Sequence, residues 1–95
     1  MSAYIFVSVE IYDPVRYEDY RKTVLPTIEK YSGRFLVRGG KTEVLEGNWP
    51  ARRIVILEFP SAERARAWWN SPEYAAPKAL RQATSHTEMI LVEGV

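Results

Sequence analysis

Cysteine is absent from this 95-residue chain, which removes disulfides, thiolate nucleophiles and every cysteine-containing zinc site in one step. Histidine is nearly absent too: His86 is the single imidazole, too few for a multi-histidine metal centre unless chains pool their ligands. A strong charge of either sign is also missing. Thirteen Lys and Arg against twelve Asp and Glu leave a formal charge of +1, too balanced to draw the chain onto phosphate backbones or acidic membranes. No apolar run approaches the length of a membrane span, and residues Met1 to Glu10 have no basic start and reach a carboxylate early. The expected location is therefore the cytoplasm, with no membrane partner. Repeats, linkers and low-complexity tracts are lacking as well.

What is present reads as one domain over residues 1–95, with 46% of residues hydrophobic and 26% charged. A domain of this size buries only about 60–65% of its unfolded surface, so sharing a core with a second copy would help it. Tyr4 to Ile11 alternates with a period of two and is expected as a strand. Asp13-Pro14 is an N-cap followed by proline at the first helical position, and Tyr17, Tyr20, Val24, Ile28 and Tyr31 then form one apolar helical stripe. Pro26 should kink that helix, and Ser32-Gly33 supplies a left-handed exit. Phe35 to Arg38 and Lys41 to Glu46 are both strand-like. The favoured expectation is one long strand bulged at Gly39-Gly40, pairing with Arg52 to Phe59 across the loop Gly47 to Pro50. Ser61 caps a second helix and Ser71-Pro72 a further segment, broken at Pro77 and ending near Gln82. His86 to Glu93 closes the chain as a strand.

The order is β-α-β-β-α-β, an α+β chain of ferredoxin-like topology: a four-stranded antiparallel sheet with the helices on one face. The uncovered face still carries apolar residues, since Tyr4 and Phe6 lie opposite Ile5 and Val7, and Ile54 and Ile56 opposite Val55 and Leu57. A second copy, related by a two-fold axis, is the expected cover, giving a homodimer through the sheet face.

A set of short motifs runs through the chain: Asp13-Pro14 with Tyr20, Gly33-Arg34, Arg38-Gly39-Gly40, Glu46-Gly47, Glu58-Phe59-Pro60-Ser61, Trp68, Ser71-Pro72-Glu73-Tyr74, Arg81 and Glu93-Gly94. In this order they resemble the bacterial family known as domain of unknown function 1330, over essentially the whole length. Where that family usually has two glycines after the first helix, this chain has Ser32-Gly33. The resemblance implies a dimeric α/β barrel but no activity. The wider superfamily includes cofactor-free monooxygenases acting on aromatic polyketides or quinols, lactone isomerases and haem-handling proteins, an analogy of fold alone.

Arg38, Glu58 and His86 are ionisable groups in or at the ends of expected strands. Each is either a structural ion pair or water-facing edge residue, or part of a site. In the second case the planar fork of Arg38 holds a carboxylate or enolate oxygen, and Glu58 or His86 moves a proton, as the catalytic candidates. His86 is also the only imidazole available to a haem iron, yet one histidine at a strand start is first of all a strand-end residue, and no cofactor or metal is expected. Tyr17, Tyr20, Trp68 and Tyr74 should point from the helices toward the sheet. They are either plain core or the wall of a cavity with hydroxyls for a planar ligand, with Arg81 and Glu73 at its rim. The ligand-binding candidates are thus Arg38, Tyr20, Trp68, Tyr74 and Arg81, for a small organic acid or aromatic metabolite. Gly39-Gly40 is not a phosphate loop, since no helix follows it. The alternative function is a non-catalytic interaction or assembly domain. Nucleic acid is not an expected partner: the strand Arg53 to Phe59 lacks the stacking motif of RNA-recognition domains. Trp49, in the loop, should pack on a neighbouring element or on a partner chain.

Overall fold

The computed structural model describes residues 1–95. The elements are β1 (Ala3–Ile11), α1 (Pro14–Lys30), β2 (Arg34–Arg38), β3 (Arg53–Phe59), α2 (Ala62–Trp69), α3 (Pro72–Thr84) and β4 (Ser85–Glu93). The sheet is ordered β2-β3-β1-β4, with every neighbouring pair antiparallel. This is the ferredoxin-like arrangement that the alternation and the caps predict. No helix is long and apolar enough to cross a membrane.

The helix starts follow their caps. Asp13 accepts from the Arg16 amide at 3.1 Å, Ser61 from Arg64 at 3.2 Å and Ser71 from Tyr74 at 3.2 Å, each satisfying an amide that the helix cannot. At the far end of α1, Ser32 adopts φ 64°. Its amide donates to the Glu29 carbonyl and the Gly33 amide to that of Ile28, both at 3.0 Å, the paired bonds of a Schellman stop. Gly33 is tightly enclosed, for a Cβ there would lie 2.5 Å from the Phe59 ring and 2.8 Å from Ile28. The expected break at Pro77 does not occur. The missing proline donor costs one bond near the start of α3, and the helix runs unbroken to Thr84.

The long bulged strand is also corrected. Residues 41–46 are not a strand, because β3 has nothing left to pair with them: Arg34 to Arg38 already spans Glu58 to Val55. The Gly39 amide adds one last bond to the Ile54 carbonyl at 2.9 Å, and with φ 70° the chain turns out of the ladder. Only glycine takes that conformation without strain. The bulge lies earlier, between Phe35 and Val37. It matters for the site. Phe35 pairs with Leu57 and Arg38 with Val55, both helix-facing positions, so the extra residue turns Arg38 inward when simple alternation from Phe35 would turn it outward.

The helix-facing side of the sheet holds the core: Ile5, Val7 and Val9 of β1 with Val55, Leu57 and Phe59 of β3, under Tyr17, Tyr20, Val24 and Ile28 of α1, Ala65 and Trp68 of α2, and Tyr74 of α3. No helix covers the opposite face. There Ile90 is 61% and Val92 45% exposed, and Trp49 from the β2–β3 loop leans edge-on against Phe6 at 6.4 Å between ring centres.

Candidate ligand-binding site

Between sheet and helices the core changes character along its length. At the end near Phe59 it is dry and closely packed. Trp68 stacks on Tyr74 with ring centres 4.0 Å apart and lies 5.5 Å from Phe59. Its indole N–H donates to Thr27 Oγ1 at 3.1 Å, and that hydroxyl donates onward to the Val24 carbonyl at 2.6 Å, so the buried polar atoms are all used.

Toward the other end lies a cavity of about 30 Å³, large enough for one or two waters or a carboxylate-sized group. Valines 7, 9 and 55 form its floor, and Tyr17, Tyr20, Arg38, Arg53, Trp68 and Arg81 its polar and aromatic wall. β3 supplies Arg53 because that residue falls in phase with Val55, Leu57 and Phe59. α3 supplies Arg81, only 4% exposed. Arg81 Nε donates to the Tyr74 hydroxyl at 3.2 Å, and the Tyr74 and Tyr20 hydroxyls are themselves 3.2 Å apart, giving a chain from guanidinium to cavity wall.

The charge of this cavity is one-sided. None of the ion pairs in the molecule involves Arg38, Arg53 or Arg81, and no Asp, Glu or His lines the cavity. Arg53 Nε is buried with no hydrogen-bond partner at all, and its Nη2 reaches only the Arg38 carbonyl at 3.5 Å. Arg38 lies 4.3 Å above the Phe35 ring and donates to the Arg21 carbonyl at 2.9 Å. Arg38 is exposed and Arg53 half-buried, whereas Arg81 is buried; a buried guanidinium without a counter-ion is costly, and in folded proteins such charge is normally met by an anion.

The tyrosines do not supply one. Burial raises the Tyr17 hydroxyl above its ordinary range despite the opposing pull of Arg53 and Arg81. Burial, with Tyr74 beside it, pushes Tyr20 well above. Both are neutral donors at physiological pH, suited to binding an oxygen rather than removing a proton.

The sequence-derived candidates divide accordingly. Arg38, Tyr20, Trp68 and Arg81 line one cavity, with Tyr74 bonded behind two of them. Glu58 is elsewhere. It points to the open sheet face, where the Arg34 guanidinium bonds it at 2.7 Å and holds its carboxyl below the usual range. His86 is exposed at the start of β4, in a separate open groove. Glu73 is tied to Tyr31 at 2.7 Å and Lys30 at 3.1 Å, away from the cavity wall, and these bonds lower its carboxyl. Arg53 escaped the sequence reading, although its period-two phase with three apolar residues of β3 marks it. No group of three or more His, Cys, Asp or Glu comes together to hold a metal.

Fold and cavity define an α+β, ferredoxin-like domain with an arginine- and tyrosine-lined cavity between sheet and helices. Residues 2–95 match the family described as a domain of unknown function, DUF1330, and the chain belongs to that family. No curated protein matches it in sequence. A protein of unknown function from Rhodopseudomonas palustris is similar in structure, with a TM-score of 0.80 at 19% identity, covering 99% of this chain and 82% of that one. SnoaB, a cofactor-independent oxygenase from Streptomyces nogalater, gives a TM-score of 0.73 at 14% identity, covering 99% of this chain and 93% of its own. A dimeric ferredoxin-like protein of unknown function from Jannaschia sp. CCS1 gives 0.73 at 12% identity, covering 99% and 100%. At such identities the likeness is one of fold.

Proposed function

We propose that this chain binds a small organic anion between sheet and helices, and that it does so as a homodimer joined through the open sheet face. The observation that carries the first part is the trio Arg38, Arg53 and Arg81 on one cavity wall with no carboxylate among them. A carboxylate or enolate supplies the missing charge, and neutral Tyr17 and Tyr20 hydroxyls add directional bonds. The exposed Ile90 and Val92 beside Phe6 and Ile56 support the second part, as does the dimeric state of the Jannaschia neighbour.

SnoaB acts on its substrate without a cofactor, and this cavity fits chemistry of that class in one respect: guanidiniums and hydroxyls stabilise an oxygen that gains negative charge. No carboxylate or imidazole stands on the wall to take a proton, so a reacting ligand would have to arrive as its own anion. The small volume of the cavity, about 30 Å³, favours a second reading, a non-catalytic assembly domain. Thermal unfolding in rising acetate against chloride at equal ionic strength separates the two. The anion reading predicts a melting temperature that climbs with acetate beyond chloride, and a response lost in Arg38→Ala while the dimer persists. Equal curves in the two salts would overturn it. For the interface, Phe6→Asp should give monomer or aggregate by size exclusion with light scattering, and an intact dimer would refute the placement.

A further inference from the structure

Arg81 faces two spaces. Besides the inner cavity, it lines an open groove of about 360 Å³ along the start of β4, with Gln82, Ser85, His86 and Thr87. Trp69 and Met89 complete that polar groove, and the same two side chains continue into an apolar groove of about 200 Å³ between α2 and β4, walled by Ile5, Ala65 and Leu91. Met89 also lines the inner cavity, so one flexible thioether borders all three spaces. Trp69 stands where the chemistry changes. Lys78 Nζ lies 4.3 Å and Arg81 Cζ 5.8 Å from its ring centre, while Arg66 is the only charged residue lining the apolar groove.

Building on the anion reading above, we infer that the ligand is amphipathic: a carboxylic acid whose head meets Arg81 and whose hydrocarbon body runs past Met89 and Trp69 into the α2–β4 groove. A small inorganic anion would answer the buried charge of Arg81 but leave the adjoining apolar groove in water. An acid with a hydrocarbon body satisfies both, because each methylene buried there strengthens binding by roughly fourfold. Met89 has the freedom to move aside as the head enters, since its unbranched side chain has many rotamers of similar energy.

Calorimetric titration of the wild-type protein with acetate, butanoate, hexanoate and octanoate tests this directly. The expected result is a dissociation constant that falls by roughly fourfold per added methylene until the groove is full. Trp69→Ala should flatten that dependence, and the wild-type series stands by itself if the variant does not fold. Equal affinity for acetate and octanoate would overturn the amphipathic ligand while the anion site survived. Octanol binding as tightly as octanoate would overturn it by removing Arg81 from the head position. Failure of every acid to bind would overturn both.

Discussion

The two ends of the core both use aromatic rings, to opposite effect. At one end the aromatic rings of Phe59, Trp68 and Tyr74 close on each other, the indole N–H has its acceptor, and Gly33 lets α1 seat directly on Phe59. At the other, Tyr17 and Tyr20 stand beside Arg53 and Arg81, an arginine nitrogen is buried without a partner, and no carboxylate balances the charge. The first end is arranged as stability alone would arrange it. The second spends stability on unpaired charge, and sites that do so are where function is sought.

Removing a packed ring at the first end and an unpaired guanidinium at the second should therefore have opposite signs. The largest effect is expected from Trp68→Ala, which empties the packed end and removes the bond to Thr27. Denaturant unfolding should show a loss of about 3–5 kcal/mol. Next is Arg81→Met. Replacing a buried, unpaired guanidinium by an apolar side chain of similar length should leave stability unchanged or raise it by about 1–4 kcal/mol, and should abolish the acetate response. A loss as large as that of Trp68→Ala would erase the contrast between the ends.

The smallest effect concerns alkaline pH. The Tyr20 hydroxyl has its pKa raised in the folded protein, chiefly by burial. Its contribution is therefore fully present below the ordinary tyrosine pKa and is lost as pH rises through the folded value. Unfolding free energy should fall above about pH 10. Tyr20→Phe should lessen that fall, while losing about 1 kcal/mol at neutral pH with the bond to Tyr74. A variant with an unchanged alkaline slope would place the titration elsewhere.

The fold was legible because its signals are local. Alternation in β1, the Asp13, Ser61 and Ser71 caps, and Ser32-Gly33 each act within a few residues. Residues 41–46 misled because strand propensity is local whereas a strand needs a partner, and β2 already pairs with β3 from Glu58 to Val55. The bulge was expected at Gly39-Gly40, where the glycines are, yet it falls at Leu36, a residue with no conformational signature. Of the site, Tyr20, Trp68, Tyr74, Arg38 and Arg81 could be named from helical spacing and strand position. What could not be read was that Arg38 and Arg81, far apart in sequence, share one cavity without a counter-charge. Nor could the separation of Glu58 from it be read, since that depends on which face of β3 meets the helices.

The central claim, that the buried Arg81 and the half-buried Arg53 await an anion, is tested most directly by nuclear magnetic resonance of the arginine Nε–H groups during titration with acetate. The account predicts saturating shifts at Arg53 and Arg81, with Arg34, already bonded to Glu58, unmoved. Small linear shifts shared by all the arginines would contradict it, showing acetate to be no more than bulk salt.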